Sequence, residues 1–137
     1  MTSPADRGKF AEGEVRKYLQ AQVAKGPTAF LRLPDAHAGS RTETICDFLV
    51  CSSGRPILIE VKEVDHASRL PHKNFDVGQV ARMRLWEIAG AKAVVCIYFK
   101  PIQAWRILPL SLFIERTGGS WQLADYSTQP TLEGLLP

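Results

Sequence analysis

Two apolar stretches separated by a short turn constrain this chain more than any other feature. Residues 44–51 read TICDFLVC and residues 56–62 read PILIEVK, with Ser52-Ser53-Gly54-Arg55 between them. β-Branched and other apolar residues dominate both stretches, so each is expected to be a strand. So short a connection pairs the two antiparallel. Pro56 stands at the first strand position, where a missing N–H is tolerated. Each stretch carries one acid in apolar company, Asp47 in the first and Glu60 in the second. Side chains alternate across a strand, which puts Leu58, Glu60 and Lys62 on one face and Ile57, Ile59 and Val61 on the other. Charges in that setting are costly to bury unless they are paired or bound to a metal.

The rest of the chain supplies a frame for this hairpin. Residues 5–24 form an expected helix, with Ala11, Val15, Tyr18, Leu19 and Val23 at helical spacing and Gly26-Pro27 as the stop. A short strand is expected at 28–33, then a polar loop at 35–43. After Lys62 comes a polar stretch, 63–74, that ends in a basic cluster. A second helix is expected at 75–89, ended by Gly90. Strands at 92–99 and 104–108 follow, then a short helix at 110–116 and a turn at Gly118-Gly119. The tail 114–137 carries no clear pattern. The order implies one α/β domain over 1–137, a mixed central sheet flanked by helices.

Composition narrows the class. Hydrophobic residues make up 45% and charged residues 23%, as in an ordinary globular protein. No apolar run approaches the ~20 residues of a membrane helix, and the first residues lack the apolar stretch of a signal peptide. A cytoplasmic protein is expected. Cys46, Cys51 and Cys96 lie in apolar runs without a CxxC, which favours buried reduced thiols over zinc or a disulfide framework. His66 and His72 lack partners at zinc-ligand spacing. The net charge of +3 is a weak pointer to nucleic acid.

Pairing of the two strands can bring Asp47 beside Glu60. Adjacent carboxylates repel, and a hard divalent cation relieves the repulsion. Oxygen donors favour Mg²⁺, with Mn²⁺ able to substitute. The carbonyl of Val61 is a further candidate ligand. A metal so placed polarises a phosphodiester, and Lys62 can position water and stabilise charge in the transition state. The competing structural reading is a pair of charged strands at solvated edges.

The pattern Asp47…Glu60-Val61-Lys62 resembles the PD-(D/E)XK nuclease superfamily. The resemblance implies a restriction-endonuclease-like fold. Cys46 precedes Asp47 where that family often has Pro. Pro34-Asp35 supplies a literal Pro-Asp, but in a polar loop with no strand pattern around it. The opening Gly8-Lys9-Phe10-Ala11-Glu12-Gly13-Glu14-Val15 is similar to that of the Hjc and RecU Holliday junction resolvases. In those enzymes the helix Glu completes the metal site, which points to Glu12. Helical geometry agrees, because Glu12 falls about 60° from the centre of the apolar face and Glu14 about 100°.

The same resemblance nominates Ser40, with His37 and Arg41 nearby, and Gln79 from the Phe75-x-x-x-Gln79 pattern. Helical spacing sets Val77, Val80, Ala81, Leu85 and Ile88 on one side of the second helix, expected to meet the sheet. Gln79, Met83 and Trp86 fall opposite, at a dimer contact or the edge of the active site. Arg32, Arg41, Arg69, His72 and Lys73 are candidate DNA contacts; for Arg32 an ordinary surface role is an equal alternative. The resemblance implies a Mg²⁺-dependent homodimer that resolves four-way DNA junctions. The alternatives are a nuclease of the same fold acting on duplexes, flaps or ends, and a DNA-binding module that has lost activity.

Overall fold

The expected hairpin forms the centre of the molecule. In the computed structural model, which describes residues 9–34, 45–67, 69–71, 77–114, 120–122 and 127–136, strand β2 (Phe48–Ser52) pairs antiparallel with β3 (Arg55–Val64). Ser53 and Gly54 both take positive φ, 51° and 81°, as a tight primed hairpin turn requires. On one side β1 (Thr28–Arg32) adds antiparallel to β2. On the other, β5 (Lys92–Phe99) runs parallel to β3 and β6 (Ala104–Pro109) antiparallel to β5. The five-stranded sheet has the order β1-β2-β3-β5-β6. A parallel neighbour needs a crossover, and helix α2 (Val77–Ile88) supplies it between β3 and β5. The mixed sheet with helices is the expected architecture.

Each face of the sheet carries its own core. Helix α1 (Lys9–Lys25) lays Ala11, Val15 and Leu19 against Ile57, Ile59 and Val61. Leu58, Val95, Ile97 and Phe99 point the other way and pack with Met83 of α2. β3 and β5 are therefore covered on both faces, which is why their sequences are apolar almost without alternation.

The structure corrects several expectations. β2 starts at Phe48, not at 44; Ile45 and Cys46 lack strand structure, and Asp47 is a bend that opens the strand. β3 continues past Lys62 to Val64, because Lys62, Glu63 and Val64 still pair with Ile97, Tyr98 and Phe99. The expected loop at 63–74 contains a strand, β4 (Arg69–Pro71), paired with β7 (Ser120–Gln122) from the tail. A short helix, α3 (Ser111–Ile114), lies between β6 and β7. The tail is also anchored further on. Leu132, Leu135 and Leu136 are buried in the α1-side core, and the Leu136 N–H donates to the Tyr18 hydroxyl at 3.3 Å.

α2 is rotated from its expected orientation. Met83 is fully buried and Val80 packs beside it, while Leu85 and Ile88 are 67% and 68% exposed. Both faces of this helix are rich in apolar residues, so periodicity alone did not decide which one meets the sheet. Met83, unbranched and adaptable, packs in the same cluster as Val95, Ile97 and Phe99 of β5. Cys46 and Cys96 are buried, but Cys51 is exposed; all three are free thiols. Among the described residues no helix is long and apolar enough to cross a membrane.

Candidate active site

The register of the hairpin brings its two acids together. Phe48 sits opposite Ile59, so the preceding Asp47 meets Glu60. The Asp47 N–H donates to the Ile59 carbonyl at 3.1 Å, extending the ladder by one residue. Its Oδ2 accepts the Val61 N–H at 2.7 Å. Both acids are buried, Asp47 at 9% exposure and Glu60 at 4%. Burial, and then the charge of Glu60, push the Asp47 carboxyl up to about 8; the Val61 N–H and Arg32 pull the other way. Burial also raises the thiol of Cys46, to about 12, and that of Cys96, which keeps both protonated.

Lys62 does what strand alternation requires of it. Its Nζ lies 3.0 Å from Glu60 Oε2. The other oxygen, Oε1, is buried and has no hydrogen-bond partner among the described residues. An unmet carboxylate oxygen, beside a second carboxyl that its neighbour keeps from ionising, is the electrostatic arrangement a hard divalent cation would complete. Asp47 and Glu60 therefore fit such an ion. The Val61 N–H is already committed to Asp47.

Glu12 approaches this pair through an intermediary. Arg32, at the end of β1, lies over the Phe48 ring, 5.7 Å from its centroid. Its Nη2 is 3.0 Å from Glu12 Oε2 and 3.8 Å from Asp47 Oδ1. Its Nη1 donates to the carbonyls of Leu33 and Asp47. The guanidinium thus spans Glu12 and Asp47. Among the described residues no three acidic, His or Cys side chains converge on one ion position. The expected Glu12–Asp47–Glu60 triad is present as a pair plus an acid held by Arg32.

The other candidates are scattered. Gln79 lies in the first turn of α2, half-buried, with no hydrogen bond to the acids among the described residues. Arg69 is exposed on β4, and its side chain and N–H both meet the His66 ring at 3.2 Å. Asp35, His37, Ser40, Arg41, His72, Lys73 and Phe75 lie outside the described residues.

Two participants escaped the sequence reading. Glu63 points to the α1 side, where its Oε1 accepts the Ala11 N–H at 3.2 Å. Its Oε2 lies 3.2 Å from Lys100 Nζ. An amide in the first turn of α1 thus finds its acceptor on β3, the turn that carries Glu12. Carrying the strand alternation one residue past Lys62 would have set Glu63 on the face of Ile59 and Val61, which was the available signal.

Solved structures with the same arrangement of elements exist, although no family model matches the chain and no curated protein matches it either. One is Hjc of Archaeoglobus fulgidus, a Holliday junction resolvase from an archaeal hyperthermophile. It is 24% identical, with a TM-score of 0.54 over 83% of this chain and 89% of that one. Another is a bacterial homing endonuclease, 15% identical, with a TM-score of 0.51 over 90% of this chain and 76% of that one. The chain has a restriction-endonuclease-like α/β fold.

Proposed function

We propose that this chain is a divalent-metal-dependent endonuclease that hydrolyses phosphodiester bonds in branched DNA, with four-way junctions as its substrate. The observation that carries the reading is the buried Asp47–Glu60 pair, with Lys62 on one Glu60 oxygen and the other oxygen unmet. The Gly8-to-Val15 opening and the likeness to the archaeal resolvase support the junction as substrate. A homodimer fits that substrate, because resolution takes two symmetric cuts. The free thiols fit a reducing compartment, the cytoplasm.

Asp47 and Glu60 would hold Mg²⁺ or Mn²⁺, with Glu12 and the Val61 carbonyl as further donors. When bound, such an ion supplies Lewis-acid polarisation of the phosphodiester and neutralises its charge. Glu60 holds the Lys62 ammonium at the edge of the acid pair, where it can orient the attacking water and meet the charge that builds on the phosphoryl oxygens. The Val61 N–H fixes the Asp47 carboxyl, so the pair is set before substrate arrives.

The test is cleavage of a labelled four-way junction and of its duplex arms with Mg²⁺, for wild type and Asp47→Asn. Metal-dependent, symmetric junction cuts that Asp47→Asn abolishes are expected. Equal cutting of duplex and junction would favour the second reading, a duplex endonuclease, which the likeness to a homing endonuclease supports. No cleavage with Mg²⁺, or with Mn²⁺ in its place, would remove both.

A further inference from the structure

A cleft beside the acid cluster has a composition the catalytic reading does not use. It has a volume of about 420 Å³ and lies between α1 and the end of β1. Lys9, Glu12, Gly13 and Arg16 form its helical wall, with Arg32, Leu33 and Pro34 opposite. The four helical residues recur at i, i+3, i+4 and i+7, so they make one continuous stripe. That stripe runs beside the buried stripe of Ala11, Val15 and Leu19. α1 thus packs on the sheet with one side and lines the cleft with the next.

The lining holds three cations, Lys9, Arg16 and Arg32, against one carboxylate, Glu12. Glu12 is itself bridged to Arg32 at 3.0 Å, so cations outnumber carboxylates among the described lining residues. Concave walls with an excess of one sign concentrate the field of their charges. The attraction rests on side chains, because the Ala11 N–H is already given to Glu63. Gly13 leaves the middle of the helical wall bare: a Cβ there would meet nothing within 4 Å. Leu33 and Pro34 add an apolar wall. Cations with an apolar wall suit alternating phosphates and sugars better than a lone small anion, and the cleft shares Glu12 and Arg32 with the acid cluster.

We propose that this cleft binds the phosphodiester backbone of a nucleic-acid strand, with Lys9 and Arg16 on the phosphates and Gly13 as the opening that admits them. The inference rests on the nuclease reading for its choice of polyanion. Arg32 belongs to both regions and links strand binding to the acids.

The test is fluorescence anisotropy of labelled duplex and single-stranded oligonucleotides on the full chain in EDTA, as a function of KCl. The variants are Lys9→Ala/Arg16→Ala and Gly13→Glu, with Lys25→Ala at the far end of α1 as control. The double variant is expected to weaken binding about tenfold and to flatten the slope of log K against log salt by about 2, roughly one unit per phosphate contact. Gly13→Glu places a carboxylate in the opening and is expected to weaken binding at least as much. Its melting temperature should not fall, since Glu is the better helix former. Lys25→Ala should change neither slope nor affinity. Unchanged slopes and affinities in both cleft variants overturn this inference and leave the nuclease reading standing. Variant-sensitive binding by a protein that cuts nothing upholds the cleft and removes the nuclease reading. If wild type binds neither oligonucleotide at low salt, this inference falls, and the nuclease reading is decided separately by junction cleavage.

Discussion

Glu60 and Glu63 stand three positions apart on β3, with side chains 5% and 4% exposed, yet only Glu63 has a partner on both oxygens among the described residues. Glu63 is complete: one oxygen takes an amide from the first turn of α1, the other a lysine. It also faces the positive end of that helix. Glu60 is incomplete. Lys62 answers one oxygen, the other has no hydrogen-bond partner among the described residues, and Asp47 beside it adds a like charge when ionised. Burial marks both acids equally, so burial alone says nothing about function. Each has a lysine on one oxygen; what separates them is whether the fold also supplies a donor for the second. Glu63 is an acid the fold uses for itself. Glu60 is one whose second oxygen it leaves without a donor among the described residues, the place the proposed function gives to an ion.

The largest effect expected from this contrast is on cleavage. Asp47→Asn, Glu60→Gln and Lys62→Ala should each lower the single-turnover rate at least 10²-fold, the usual scale for removing a group that acts on the transition state. Circular dichroism should show all three folded. Glu63→Ala should lower the rate far less at 25 °C, since its side chain acts on α1 and not on the phosphodiester. A Glu63 variant as inactive as Glu60→Gln would break the distinction.

Stability should rank the two acids the other way. Glu63→Ala leaves the Ala11 amide without its acceptor and Lys100 with the exposed Asp65, at a cost of about 1–3 kcal/mol in urea unfolding. Above pH 8, where Asp47 is ionised, Glu60→Gln in EDTA removes a like charge from beside it, so there the metal-free protein should be unchanged or more stable. A larger loss for Glu60→Gln than for Glu63→Ala would show that Lys62 completes Glu60 without any ion.

Metal and pH sharpen the same point. The Asp47 carboxyl sits at about 8 in the folded chain, against 3.8 for the free side chain. Between those values the folded state binds the extra proton, so unfolding free energy from this group falls as pH rises. The contribution is complete below pH 3.8 and gone above pH 8. Melting in EDTA should therefore drop from pH 5 to pH 8, and Asp47→Asn should flatten that drop. On the proposed function Mg²⁺ would displace that proton, so its stabilisation should grow over the same range. At ten times the dissociation constant it is worth about 1.4 kcal/mol. Magnesium stabilisation that does not change with pH would place the ion elsewhere.

The sheet and the β2–β3 hairpin were legible in the sequence because local rules decide them. Alternation set Glu60 and Lys62 on one face, and the short turn fixed the register that brings Asp47 to Glu60. The failures came where distant partners decide. β4 is a strand only because tail residues 120–122 pair with it. α2 offered two apolar sides, and the space over β5 chose Met83. Glu63 looked like the start of a polar loop, since its two partners, Ala11 and Lys100, lie far off along the chain. Arg32 read equally as a surface residue or a phosphate contact. Its bridge between Glu12 and Asp47 appears only once β1 is laid against β2.

The smallest expected effect tests what completes Glu63. Lys100 is about a third exposed, and its ammonium also lies 3.6 Å from Asp65, an exposed acid. A solvated partner of this kind contributes at most about 1 kcal/mol, less in high salt. Most of the compensation should then come from the Ala11 amide, which lies in the first turn of α1. Lys100→Ala is accordingly expected to cost less than half of what Glu63→Ala costs, and 0.5 M salt, taken as roughly the range where exposed pairs are screened, should erase the difference from wild type. Its hydrogen bond with Glu63 raises the lysine above its ordinary value. That share of stability is present through neutral pH and disappears only as pH climbs through the raised value. Equal losses for the two variants would mean that an ion pair, and not the helix amide, makes Glu63 the finished counterpart of Glu60.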